Sequence, residues 1–383
     1  MSFPEPDYGR LDDPEALAEA DPGEMLRHVA SAAAQVREAR LLATEAGVDR
    51  VAAGGRPRAV VIVGMGASGI VGDLIDAVCG LGCPVPVTTV RGHRLPGWVG
   101  VADLVIAVSR SGSTEETLGL VADAARRGCR LLCVGAGGSP LADMALQAGG
   151  LFVPAPAAAR SRAALWGLAV PPLLALDILG LTVVRPEVLE RTAERLEEMS
   201  HLCRPASESF VNPGKQTALE IAGSIPVIWG TSPLTGVVAR RFAAQLATDA
   251  KYPAIPGELP EAGHGQVVVF DGPFATRAGS AETGEDDFFR DRVDEPETTR
   301  LCLVVVRDTD EHPQVTRRRE ASAELAAERG VTVTELTARG EHPLERLAGL
   351  IAHADYASVY LALALGTDPT PLPAIQELEV RIS

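Results

Sequence analysis

Residues 14–55 carry apolar side chains at helical spacing, among them Met25, Leu26, Val29, Ala33 and Val36, in an Ala/Glu/Arg/Leu-rich background. This pattern predicts two amphipathic helices leading into a domain. From residue 59 the pattern changes to short β-branched runs separated by helical stretches: Ala59–Val63, Val85–Val87, Leu104–Val108, Leu131–Val134 and Gly150–Val153. Near-continuous apolar strands alternating with helices predict a parallel sheet covered on both faces. A helix is expected over Ala163–Leu179 and a charged one from about Pro186 to Leu202. A boundary is expected near 200–212, at Arg204-Pro205 and Asn212-Pro213-Gly214. The alternation then restarts with Ile225–Trp229, Gln266–Phe270, Leu301–Val306 and Val331–Thr334. The expected architecture is α/β in two similar halves: a helical extension over 1–55, a first sheet domain over 56–203 and a second over 204–383. Residues 272–299, rich in Gly, Asp and Glu, are expected to form a solvated loop. The chain is expected to close with a helix over Ala354–Gly366, a Pro-rich tail and a short terminal helix.

A length of 383 residues suits about two domains. With 35 basic against 51 acidic side chains and a net charge of −16, the chain lacks the basic footprint that duplex nucleic acid or anionic lipid demands. No uninterrupted apolar run approaches the ~18 residues of a membrane helix. The acidic N-terminal stretch has no signal-peptide core, so the cytoplasm is the expected compartment. The six cysteines, Cys79, Cys83, Cys129, Cys133, Cys203 and Cys302, include no CxxC pair and read as buried thiols, with no zinc site or disulfide framework. Lys215 and Lys251 are the only lysines among the 35 basic residues, which singles them out.

Two loops carry candidate chemistry. The first strand runs into Gly64-Met65-Gly66-Ala67-Ser68-Gly69, a GxGxxG that lets phosphate approach backbone N–H groups at a helix start. A dinucleotide site would want an acid about 20 residues on, where Thr89-Val90-Arg91 stands instead. Arg91 leaves open an NADP enzyme, whose 2′-phosphate it would meet. The third strand runs into Ser109-Arg110-Ser111-Gly112-Ser113-Thr114-Glu115-Glu116-Thr117. An ordinary helix cap, with Ser113 or Thr114 capping and Glu116 completing a box, needs one hydroxyl. Four hydroxyls around a glycine at a strand-to-helix junction suit a dianionic phosphate better.

At these two loops the chain resembles the sugar isomerase (SIS) domain family. The resemblance continues through Arg162-Ala163-Ala164-Leu165, Asn212-Pro213-Gly214-Lys215, Ile225–Gly230, Ala239-Arg240-Arg241-Phe242, Asp249–Ala254, Glu258–His264 and Arg307-Asp308. Together, over about residues 20–383, these resemble the bifunctional phosphoglucose/phosphomannose isomerases, in an arginine-rich form of high-GC, actinobacterial type. The resemblance implies a cytoplasmic homodimer of two-SIS-domain chains. It implies interconversion of aldose and ketose 6-phosphates, with glucose 6-phosphate and mannose 6-phosphate as substrates and no metal or cofactor. Such chemistry moves a proton between C1 and C2 through a cis-enediol, and needs a base, a group that assists ring opening, and positive charge for the enediolate oxygen. By resemblance, Ser109, Ser111 and Thr114 would hold the phosphate, with Ser68 near the sugar. Arg162 would supply the cation, and His264 would act in ring opening, reaching across a dimer interface.

Two positions depart from the family pattern. The family's base is a glutamate sixteen residues before the histidine, and here that position is Thr248, in Ala247-Thr248-Asp249-Ala250-Lys251. A threonine hydroxyl, with a pKa far above 7, cannot act as that base. Asp249 is the neighbouring candidate, although one helical position turns a side chain by roughly 100°. Glu258 and Glu261 are further candidates. Near the C-terminus, Leu378-Glu379 stands where the family ends a helix with Leu-Lys. Three readings remain: a weak isomerase, a sugar-phosphate-binding regulatory protein that has lost isomerisation, and, ranked last, the NADP enzyme.

Overall fold

A computed structural model describes residues 5–157, 161–275 and 300–382. The expected 272–299 loop therefore lies, from 276 on, outside the described residues. The chain forms two compact units: Arg27–Ser200 with Gly340–Ala348, and Met1–Leu26 with His201–Arg339 and Gly349–Ser383.

The first unit holds five parallel strands, β1 (Val60–Val63), β2 (Val87–Val90), β3 (Leu104–Ser109), β4 (Arg130–Gly135) and β5 (Leu151–Pro154), in the order β2-β1-β3-β4-β5. The run behind β1 is apolar at every position because both faces are covered, whereas the half-buried edge strand β2 holds Thr88 and Thr89. Val60, Val61, Ile62 and Val63 are all fully buried. One side of the sheet builds a core from Val61, Val63, Val105, Ala107, Leu120 and Leu141. Each such valine or leucine contributes about 1.5–3 kcal/mol relative to exposure. The chain leaves β1 toward β2 and later returns to the other side of β1 with β3. The crevice outside the carboxyl ends of β1 and β3 is thus a topological switch point, where open α/β sheets bind ligands.

The second unit repeats the winding with β6 (Ser224–Gly230), β7 (Ile255–Glu258), β8 (Arg300–Arg307) and β9 (Thr332–Thr337), all parallel in the order β7-β6-β8-β9. This is the order of the first four strands of the other sheet. The strand expected over Gln266–Phe270 is instead a 3-10 turn, Val267–Asp271. Its apolar side chains still serve the core, Phe270 lying 5.6 Å from the Trp229 ring. The edge position belongs to Ile255–Glu258, which Pro256 and Gly257 disguised, although an edge strand tolerates proline.

The N-terminal helices do not stand as one block over 1–55. The backbone N–H of Asp7 donates to the Ala364 carbonyl (2.8 Å) and the Arg10 guanidinium to that of Leu363 (3.0 Å), so the first segment joins the second unit. The helix Ala32–Glu45 buries Ala33, Val36, Ala39 and Ala43 in the first unit, against the apolar helix Leu165–Ile178. The last long helix starts earlier than expected, spanning Pro343–Ala364, and is long and apolar enough to cross a bilayer. It is 94% buried over its most apolar window, and Asp355 within it takes a bidentate pair from Arg241 at 2.8 and 2.6 Å. A charged pair of this kind suits a protein interior.

Candidate functional site

The two loops singled out by their sequence meet at the crevice of the first unit. The loop after β1 opens the helix Gly66–Cys79, whose N-cap is Met65 and which has no side-chain cap. The loop after β3 opens the helix Glu115–Arg126, whose N-cap Thr114 also makes no capping bond. The Thr114 hydroxyl instead lies 3.1 Å from Ser109 Oγ, so the simple capping box is not what these residues form. The loop is held by its own small groups: Gly112 N–H donates to Ser109 Oγ (3.1 Å), and the backbone N–H and hydroxyl of Ser113 reach Ser111 Oγ at 3.2 and 3.1 Å. The Arg110 N–H donates to Ser68 Oγ at 3.3 Å, joining the two loops. Ser68, Ser109, Ser111 and Thr114 are therefore brought together beneath two helix N-termini without side-chain caps. Hydroxyl donors with the positive ends of two helix dipoles make a receptor for an anion.

Gly112 carries the turn. Its φ of +68° is in the left-handed region, and a Cβ there would fall 2.1 Å from Ser139 Oγ. Arg162 sits in a short 3-10 turn, Ser161–Ala163, beside the helix Gly66–Cys79, and its side chain is buried. The turn is pinned by Gln35, which sequence reasoning missed. Gln35 donates to the Ala163 carbonyl (2.8 Å) and accepts from Gly167 N–H (3.2 Å). Arg91 does not point to a nucleotide phosphate, because its guanidinium is taken up by Asp73 (2.6 Å) and the Gly69 carbonyl (2.9 Å).

The equivalent crevice of the second unit is built differently. After β6, Ser232 and Thr235 form a full capping box on the helix Pro233–Gln245. After β8, the place of the hydroxyl loop is taken by Asp308, which is buried and accepts from Ser232 Oγ at 2.7 Å. Its N–H donates to Thr231 Oγ1 at 2.9 Å. A capped helix with a carboxylate already seated on its N-terminal residue disfavours a second anion.

The remaining candidates lie in this second unit. Thr248 and Asp249 fall in a π turn, Leu246–Ala250, that ends the helix Pro233–Gln245. The Thr248 hydroxyl donates to the Ala244 carbonyl at 2.9 Å. Asp249 is fully buried and accepts from Ser358 Oγ at 3.0 Å. Glu258 lies at the end of β7 within 3.4 Å of Arg240, and Glu261 precedes the short helical turn Ala262–Gly265 that carries an exposed His264. Glu379 is exposed on the terminal helix Pro373–Ile382, which buries no residue. Both lysines have structural work. Lys215 Nζ donates to the carbonyls of Pro205 (2.8 Å) and Ser207 (2.6 Å), and Lys251 Nζ to those of Asp249 (3.1 Å) and Asp368 (3.0 Å). A compact ammonium with three donors fits such convergent carbonyls where a planar guanidinium would not.

Residues 210–382 match the family model described as the bacterial phospho-glucose isomerase C-terminal SIS domain. Over 326 residues the chain is 30% identical to the bifunctional phosphoglucose/phosphomannose isomerase of Caldicellulosiruptor bescii, covering 85% of this chain and 89% of that one. The enzyme of the same description from Aquifex aeolicus is 28% identical, with 84% and 89% covered. Among solved structures, a hypothetical protein from Thermus thermophilus superposes with a TM-score of 0.67 over 100% of this chain and 99% of its own, at 17% identity, a likeness of fold.

Proposed function

The chain belongs to the bifunctional phosphoglucose/phosphomannose isomerase family, and from that premise we propose that it binds a hexose 6-phosphate in the crevice between β1 and β3, as a cytoplasmic homodimer. Ser109, Ser111 and Thr114 hold the phosphate and Ser68 the near side of the sugar. The reading rests above all on the convergence of these four hydroxyls beneath two helix N-termini that no side chain caps. Arg162 supplies the positive charge for an enediolate oxygen, and His264 of a partner copy assists ring opening.

Proton transfer between C1 and C2 is the weak step. At the family's base position Thr248 offers only a hydroxyl, and that hydroxyl is already bonded to the helix behind it. Asp249 is enclosed with Ser358. Aldose–ketose isomerisation is therefore slow, and the placement of these two residues supports a second reading, a non-catalytic protein whose partners respond to bound sugar phosphate.

A coupled assay of fructose 6-phosphate conversion to glucose 6-phosphate and mannose 6-phosphate, run on the wild type beside Thr248→Glu, tests both readings. A near-silent wild type with activity appearing in Thr248→Glu is expected. Rapid wild-type turnover would show that another base is in place. Melting curves with each hexose phosphate test binding alone. Ligand at 100 times its Kd should stabilise by about 2.7 kcal/mol, and no shift with any of the three would overturn the binding reading.

A further inference from the structure

A cavity of about 550 Å³ opens at the amino-terminal edge of the first sheet, the end of β1 and β3 away from the hydroxyl loops. Arg56, Arg58 and Arg130 line it together with Pro57, Val101 and Ala102, and no carboxylate does. In a chain of net charge −16, three guanidiniums around one opening are out of keeping with their surroundings.

The three are committed to different degrees. Arg58 pairs with the fully buried Asp103 at 3.0 and 2.6 Å and lies 5.9 Å from the centre of the Trp98 ring. Arg130 gives one N–H to the Gly55 carbonyl at 2.8 Å and has no acidic partner among the described residues. Arg56 is exposed and makes no hydrogen bond or ion pair among the described residues. Arginines at this edge of a parallel sheet often serve the carboxyl ends of the flanking helices. Here Arg126 and Arg127 have that task at the end of Glu115–Arg126, both pairing with Asp123 and Arg127 also bonding the carbonyls of Leu95 and Pro96. Arg56 and Arg130 are left over from it. Unpaired guanidiniums facing one space repel each other, and a multiply charged anion relieves that repulsion while taking charge-assisted, fork-shaped hydrogen bonds.

We propose that this cavity binds a small phosphate-rich anion, at a site separate from the hexose-phosphate crevice. Val101, Ala102 and Pro57 give such a ligand an apolar wall for its uncharged part. The site lies wholly within the first unit and does not depend on whether the chain isomerises sugars.

Trp98 provides the readout. It is 46% exposed beside Arg58, whereas Trp166 and Trp229 are buried. Inorganic pyrophosphate is titrated into the full-length protein and into the Ser109→Ala/Ser111→Ala variant, in which the crevice is disabled. A saturable change in tryptophan emission is expected in both, absent in Trp98→Phe. The apparent affinity should fall about tenfold or more in each of Arg56→Ala and Arg130→Ala, the usual effect of losing a charge-assisted hydrogen bond. Calorimetry of the same titration in the Ser109→Ala/Ser111→Ala background registers binding that leaves Trp98 undisturbed. The proposal is overturned by no heat and no emission change in that background, by a response that sodium chloride of equal ionic strength reproduces, or by unchanged affinity in Arg56→Ala/Arg130→Ala.

Discussion

Replacing Gly112 by alanine tests whether the hydroxyl loop owes its shape to one backbone position. The left-handed φ of +68° alone costs a non-glycine residue about 1–2 kcal/mol. The new methyl would also lie 2.1 Å from Ser139 Oγ and 2.4 Å from Ser139 Cβ, distances that no side chain tolerates. Relieving such overpacking costs about 1–3 kcal/mol more. Ser139 is moreover the N-cap of the helix Pro140–Gln147, so pushing it aside removes a cap at a further cost of about 1 kcal/mol. Gly138→Ala is the control, because Gly138 has φ +67° and nothing within 4 Å of its missing Cβ. It isolates the backbone contribution. At about 2–4 °C per kcal/mol, Gly112→Ala should melt at least about 4 °C below Gly138→Ala. Only Gly138→Ala should keep the stabilisation by glucose 6-phosphate. Equal melting temperatures, or wild-type stabilisation of Gly112→Ala by the sugar, would refute the account of this loop.

Gln35→Ala should lower stability by about 1–3 kcal/mol, since the Ala163 carbonyl and Gly167 N–H lose their buried partner. Its sugar-phosphate affinity should fall as the Arg162 turn loosens, which binding calorimetry would record. Lys215→Met should cost about 2–5 kcal/mol in a denaturant titration, leaving the carbonyls of Pro205 and Ser207 unpaired in the interior. Lys215→Arg should not restore it, for want of room for a planar fork. His353 is half-buried, with Nε2 2.9 Å from Thr217 Oγ1 and 3.1 Å from the Pro213 carbonyl, and desolvation pushes its pKa down to about 4. The unfolded chain takes up a proton near pH 6.5 while the folded chain refuses it until about pH 4. The stability this neutral histidine contributes is thus full above pH 6.5 and is lost as the pH falls toward 4. That loss is about 3 kcal/mol. Unfolding of His353→Gln followed between about pH 7 and pH 4 should lack that part of the acid slope, and parallel slopes would contradict the assignment.

The central strands of both sheets were legible because buried parallel strands are apolar throughout, and runs such as Val60–Val63 admit little else, whereas the edge strand Ile255–Glu258 was not. The loop after β3 stood out because four hydroxyls around Gly112 exceed what any helix cap requires. What escaped was set by partners far along the chain. Asp249 looked like a neighbour of the missing base, but its surroundings are decided by Ser358, 109 residues on. Gln35 fixes the Arg162 turn across 128 residues and looked like any polar position in an amphipathic helix. Val267–Phe270 has the composition of a strand, yet the sheet edge beside β6 was already occupied by Ile255–Glu258, and local pattern cannot register that.

The two halves show how one winding supports opposite electrostatics. After the first strand, one unit opens its helix with Met65, which has no oxygen to cap it, and the other with Ser232 in a complete capping box. After the third strand, one presents Ser109, Ser111 and Thr114, and the other Asp308, buried and bonded to Ser232. Each change alone would leave an anion site weakened. Together they satisfy the second helix N-terminus from within and put a negative charge where a phosphate would sit. The two units therefore share one winding, and the helices opening their crevices lack side-chain caps in the first and carry them in the second. On the function proposed above, a base lost at Thr248 falls in the half without the hydroxyl loop, so Thr248→Glu should change turnover and leave the melting shift given by hexose phosphates intact.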